Sequence, residues 1–171
     1  MQRPNQITMK RLLYLFLLLS LWAGSSSFKV QQDFCDALKK IVEASRQNFD
    51  AIKSERKNGI IDIYYTSKIA LPNATETRIW VGNDQLYFTC KIVEKSSKTE
   101  IEKEYKQLAT SVRACLGNWK EFTPKNTSLH SFDQGFKEEA GEKCGPEVVV
   151  SMQDNPVKYG FYKVVVTIKS F

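Results

Sequence analysis

Apolar positions along the chain change period several times, and each change marks an element. From Asp33 onward they recur at helical spacing: Cys35, Leu38, Val42, Phe49 and Ile52, with Ser45 in the same stripe. Lys39, Lys40, Glu43 and Arg46 take the opposite side. This spacing predicts a helix capped by Asp33 and ended by Asn58-Gly59, residues that tolerate left-handed backbone. The period then falls to two. Strands are predicted over Ile60–Thr66, Thr77–Val81 and Leu86–Val93, the last two joined by the turn Gly82-Asn83-Asp84. The piece between the first two, Lys68–Ala74, contains Pro72 and reads as an edge strand or a loop.

Helical spacing returns at Ser97-Lys98-Thr99-Glu100, a capping box. Ile101, Tyr105, Leu108, Val112 and Cys115 form the apolar stripe, Glu102 and Lys106 sit at i,i+4, and Gly117-Asn118 stops the helix. Trp119–Thr123 is a candidate short strand, and the weakly patterned region Pro124–Pro146 reads as a long surface excursion with a further strand candidate near Leu129–Phe132, so that two or three strands follow the helix. Two strands close the chain, Glu147–Met152 and Gly160–Ser170, with Asp154-Asn155-Pro156 in the turn between them.

Consecutive strands with short links form antiparallel sheets, and helices with one apolar stripe pack on a single sheet face. The expected fold is therefore α+β: a two-layer sandwich of an antiparallel sheet of 5-6 strands with two helices on one face. In the third strand Leu86, Phe88, Cys90 and Ile92 share the apolar face. Three antiparallel strands between two helices would make those helices parallel. That geometry brings Cys35 near Cys90 and leaves Cys115 for Cys144, one of three connectivities that four cysteines allow.

Composition moves the reading to an export compartment. Lys10 and Arg11 precede the apolar run Leu12–Gly24, and Ala23, Gly24, Ser25, Ser26 and Ser27 follow it. The run is short for a membrane span, which needs about 20 residues, and fits a cleaved secretory signal over residues 1–27. Residues 28–171 are then a single domain. The removed part holds Arg3, Lys10 and Arg11, so the formal charge of +6 falls to +3, with 22 basic against 19 acidic side chains, well mixed. Such a balance excludes the clustered positive charge of a nucleic-acid binder. No later run is apolar enough to span a membrane. An even set of cysteines in an exported chain reads as a disulfide framework, and none has C-x-x-C spacing. The expected location is secreted or periplasmic.

Catalytic patterns are absent: no G-x-S-x-G, H-E-x-x-H, P-loop or dinucleotide-binding glycine motif occurs. His130 is the single histidine, so a mixed Cys/His metal site is poorly supplied, and neither metal nor cofactor is expected. Glu100, Glu102 and Glu104 belong to a charged helix face and Glu138-Glu139 to a loop. The sharper feature is the strand face turned away from the helices. It offers Tyr64, Arg78, Trp80, Tyr87, Thr89 and Lys91, then Tyr159, Phe161, Lys163 and Lys169. Aromatics and arginine are enriched where partners dock. The same residues also favour strands for packing reasons alone. The expected role is a non-enzymatic binding module for a protein, peptide or glycan. An envelope hydrolase built on acidic residues and His130, or a structural subunit, are the alternatives. Asn73-Ala74-Thr75 and Asn126-Thr127-Ser128 fit the N-glycosylation acceptor pattern.

Taken in order, FCDALKKIVEAS, LPNATE, LYFTCKIVE and EYKQLATSVRACL resemble small exported bacterial proteins of unknown function. The resemblance covers about the first two thirds of the chain after the leader and implies no activity. A compact leader beginning at Met9 likewise favours a bacterial source. Cystatin inhibitors also pack a helix on an antiparallel sheet, but their Q-x-V-x-G hairpin is absent here and the second long helix does not fit.

Overall fold

The computed structural model describes residues 30–59, 62–82, 85–124, 132–138, 145–154 and 159–170. The predicted leader over 1–27, together with Asn126, His130 and Cys144, lies outside them. The chain divides into two units, Met1–Phe34 and Cys35–Phe171; of the first, only residues 30–34 are described, and they are helical.

The elements run α1 (residues 30–45), β1 (Lys53–Asn58), β2 (Ile63–Ser67), β3 (Glu76–Val81) and β4 (Leu86–Lys95), then α2 (Lys98–Leu116), β5 (Lys120–Phe122), β6 (Phe132–Lys137), β7 (Glu147–Asp154) and β8 (Tyr162–Lys169). The fold is α+β, and its strands form one antiparallel sheet. Among the described residues that sheet has eight strands rather than five or six, in the order β1-β2-β3-β4-β8-β7-β6-β5. Both halves of the chain thus follow the same plan, one helix and then a four-strand meander. They join through β4 and β8 at the centre of the sheet.

The first extra strand comes from a shorter first helix. Helical structure stops at Ser45 instead of continuing toward Asn58. Asn48 and Phe49 take left-handed φ values of 54° and 60°, and the Phe49 amide closes back on the Ala44 carbonyl at 2.7 Å. This break turns the chain into β1 yet keeps Phe49 and Ile52 buried. The helical stripe therefore continues through a turn. The second extra strand comes from the weakly patterned region, which supplies β6 as a full strand pairing with β7.

The core is a stack of cross-strand rows on the helix side of the sheet. Ile79, Phe88, Ile168, Val148 and Phe136 are register partners on five adjacent strands, and all are buried. The next row, two residues away, is Thr77, Cys90, Val166, Val150 and Gln134. A large apolar side chain fully buried in such a row stabilises by about 1.5–3 kcal/mol. A register shift between Lys91 and Val93 places Val93 opposite Val164 on this side, where the unbroken alternation had put Ile92.

Helix α2 covers β4, β6, β7 and β8 with Ile101, Ala109, Val112, Cys115 and Leu116. Its start is capped as the sequence predicts: Glu100 donates its amide to the Ser97 hydroxyl at 3.4 Å. The Glu100 carboxylate turns instead to Lys95 at 3.3 Å. At the other end Gly117 adopts φ 59° and donates to the Arg113 carbonyl. The segment after α1 lies on the same sheet face, since the rings of Phe49 and Phe88 are 6.1 Å apart.

The disulfide joins Cys35 to Cys115, not Cys35 to Cys90. The proposed Cys115–Cys144 pair falls with it, because Cys115 is already bonded. Strand parity is the reason. With β1 present, four antiparallel strands separate the helices, so they run antiparallel. The early part of α1 then meets the last turn of α2, and the two Cα atoms lie 5.0 Å apart. Among the described residues no helix is long and apolar enough to cross a membrane.

Candidate functional site: an aromatic and guanidinium cluster on the outward sheet face

The side of the sheet opposite the core rows carries its own aligned row. Tyr64, Trp80, Tyr87, Lys169, Glu147, Lys137 and Lys120 are successive register partners from β2 to β5. Two residues along lies the row Thr66, Arg78, Thr89, Thr167, Val149, Gly135 and Phe122. Side chains alternate across a strand, so both rows face away from Phe88 and its neighbours.

Tyr64, Arg78 and Trp80 form one packed unit. The Tyr64 and Trp80 rings are 5.3 Å apart and tilted by 49°. The Arg78 guanidinium carbon lies 4.7 Å from the Tyr64 centroid and 5.2 Å from that of Trp80. A guanidinium this close to a ring gains about 0.5–1 kcal/mol at an exposed site and more when desolvated. Trp80 is also held by its polar end, because Nε1 donates to Thr89 Oγ1 at 2.8 Å. On the next strand Gln85 Nε2 donates to the Tyr87 hydroxyl. Each aromatic is only half-buried, so ring surface remains open to solvent.

Charge is arranged around this unit. Glu76, two residues before Arg78 on β3, pairs with the guanidinium and also reaches Lys91 Nζ at 3.2 Å. Glu94 lies 3.6 Å from the same ammonium. Lys91 thus joins the cluster through a shared carboxylate and not through a ring. Farther across, Lys169 pairs with Glu147 at 2.8 Å.

The last three residues of the expected face sit elsewhere. Lys163 shares the outward side of β8, but it lies six residues from Lys169, the neighbour of Tyr87. At strand rise that is about 20 Å away. Tyr159 is fully exposed in the β7–β8 turn, and Phe161 is half-buried just before β8. Tyr64, Arg78, Trp80 and Tyr87 therefore come together; Lys91 is tied to them through Glu76 but stands four residues along β4 from Tyr87, toward Lys163, the register partner of Glu94.

Sequence reasoning missed Glu76 and Gln85, which fix the cluster's charged and hydroxyl groups. An i,i+2 relation to Arg78 and Tyr87 was the available signal. It also missed the small floor beyond the cluster. Val149, Ser151 and Val165 face outward yet are buried, and the Phe122 ring lies over Gly135, 2.6 Å from where a Cβ would stand.

Cys90 is a buried free thiol on the core side. Burial pushes its pKa up, against weaker opposing hydrogen bonds to the Leu71 backbone and Thr77. A thiol in that setting is a poor nucleophile. Among the described residues no three His, Cys, Asp or Glu side chains group as metal ligands. The first sequon asparagine, Asn73, stands exposed in a turn at φ 64°. Compared with family models, with curated proteins and with solved structures, the chain matches none.

Proposed function

We propose that the chain is an exported, non-enzymatic binding module that engages a protein, peptide or glycan through the outward face of β2, β3 and β4. The observation that carries this reading is the grouping of three half-exposed aromatics with Arg78 on the first half, where β5–β8 carry one outward aromatic, Phe122, packed down on Gly135. Strand propensity alone would put such residues on either half of the sheet. The two halves share one topology, yet Tyr64, Trp80 and Tyr87 crowd the first. The same face of β6, β7 and β8 carries Asp133, Gly135, Lys137, Glu147, Val149, Ser151, Gln153, Lys163, Val165, Thr167 and Lys169.

A half-exposed ring anchored at its polar end loses little entropy on contact, and arginine beside it adds a planar donor. The predicted leader over residues 1–27 and the Cys35–Cys115 bond support an oxidising destination for such a module.

The test is capture by the immobilised exported protein, comparing wild type with Trp80→Ala/Tyr87→Ala. Residues that anchor an interface cost at least about 2 kcal/mol on truncation, close to 30-fold in affinity. The expected result is loss of the captured species with an unchanged circular dichroism spectrum. Equal capture by both proteins would remove the proposal.

A further inference from the structure

We draw no further inference here: the strongest candidate, the small-residue floor that Thr89, Thr167 and Val149 form on the outward sheet face between Arg78 and Phe122, continues the site already described, and nothing in the structure shows what covers it.

Discussion

Removing the Cys35–Cys115 bond should leave the fold intact and cost about a third or more of a small domain's stability margin. The bond closes a loop with a sequence separation of 80. In the chain-entropy treatment this restricts the unfolded ensemble by about 15 cal/mol/K, roughly 4.5 kcal/mol at 25 °C. Domains are typically stable by about 5–15 kcal/mol, so the loss is large. The variant to use is Cys35→Ala/Cys115→Ala, because serine would add a hydroxyl at the buried Cys115 position. Urea unfolding followed by circular dichroism reads the effect. With an m-value near 2 kcal/mol/M, the midpoint falls by about 2 M.

The slope carries a second test. If the crosslink acts on the unfolded chain, releasing it exposes more surface there, and m rises in the variant. Wild-type protein under reducing conditions should follow the double variant. Cys90→Ala is the control. It removes one buried sulfur and should lower stability by only about 1–2 kcal/mol. An unchanged midpoint in the double variant would refute the Cys35–Cys115 linkage. A large loss in Cys90→Ala with none in Cys115→Ala would restore the Cys35–Cys90 pairing.

The Cys90 thiol should resist alkylation in the native protein and react only after unfolding, read as label incorporation against Cys90→Ala. Its pKa is raised in the fold, so its share of stability is complete below the unfolded value of about 8.5 and falls as pH rises beyond it; a urea midpoint that stays flat above that pH in wild type would contradict this. Gly135→Ala must displace the Phe122 ring, which lies 2.6 Å from the new methyl, and should cost about 1–3 kcal/mol. Phe122→Ala in the same chain should remove most of that penalty, and a double-mutant cycle without coupling would show that the ring does not cover the glycine. Gly117→Ala meets no neighbour within 4 Å, so its cost is backbone strain alone; φ 59° with ψ −109° lies outside the left-handed helical basin, and the loss by thermal unfolding should be about 1–3 kcal/mol.

What the sequence made legible were the elements with strong internal pattern. Helix α2 shows its cap at Ser97, its apolar stripe and its stop at Gly117-Asn118, and the apolar alternation of β3, β4, β7 and β8 places each of them. β1 stayed hidden for two reasons. Its sequence, Lys-Ser-Glu-Arg-Lys-Asn, is that of an exposed edge with no buried face to impose alternation. The preceding break depends on Phe49 at positive φ, which no composition rule announces. β6 was hard to see because only Gly135 and Phe136 in it are buried. One missed strand then changed the cysteine pairing, since strand parity decides whether the helices run parallel or antiparallel. Tyr64, Arg78, Trp80, Tyr87 and Lys91 were readable as one face because period two needs no knowledge of connectivity. The distance of Lys163 from Tyr87 was not, because that depends on the β4–β8 register.

The duplicated topology sharpens the argument about the outward face. A helix and four strands recur without any repeat in the sequence. The shared requirement is therefore pattern: an apolar row toward the helices, turns between successive strands and a helix ahead of them. Ile79 and Phe88 meet that requirement in the first half, and Val148 and Ile168 meet it in the second. Nothing in it calls for Tyr64, Arg78 and Trp80 on the far side of β2 and β3, where the second half places Gly135, Val149 and Ser151. Val149, Ser151 and Val165 are buried on this face, and the Phe122 ring covers Gly135 beside them. Phe122, the one outward aromatic on β5–β8, is thus packed down, whereas Tyr64, Trp80 and Tyr87 keep ring surface open to solvent. That is why the capture experiment is aimed at Trp80 and Tyr87, and why folding should survive their loss.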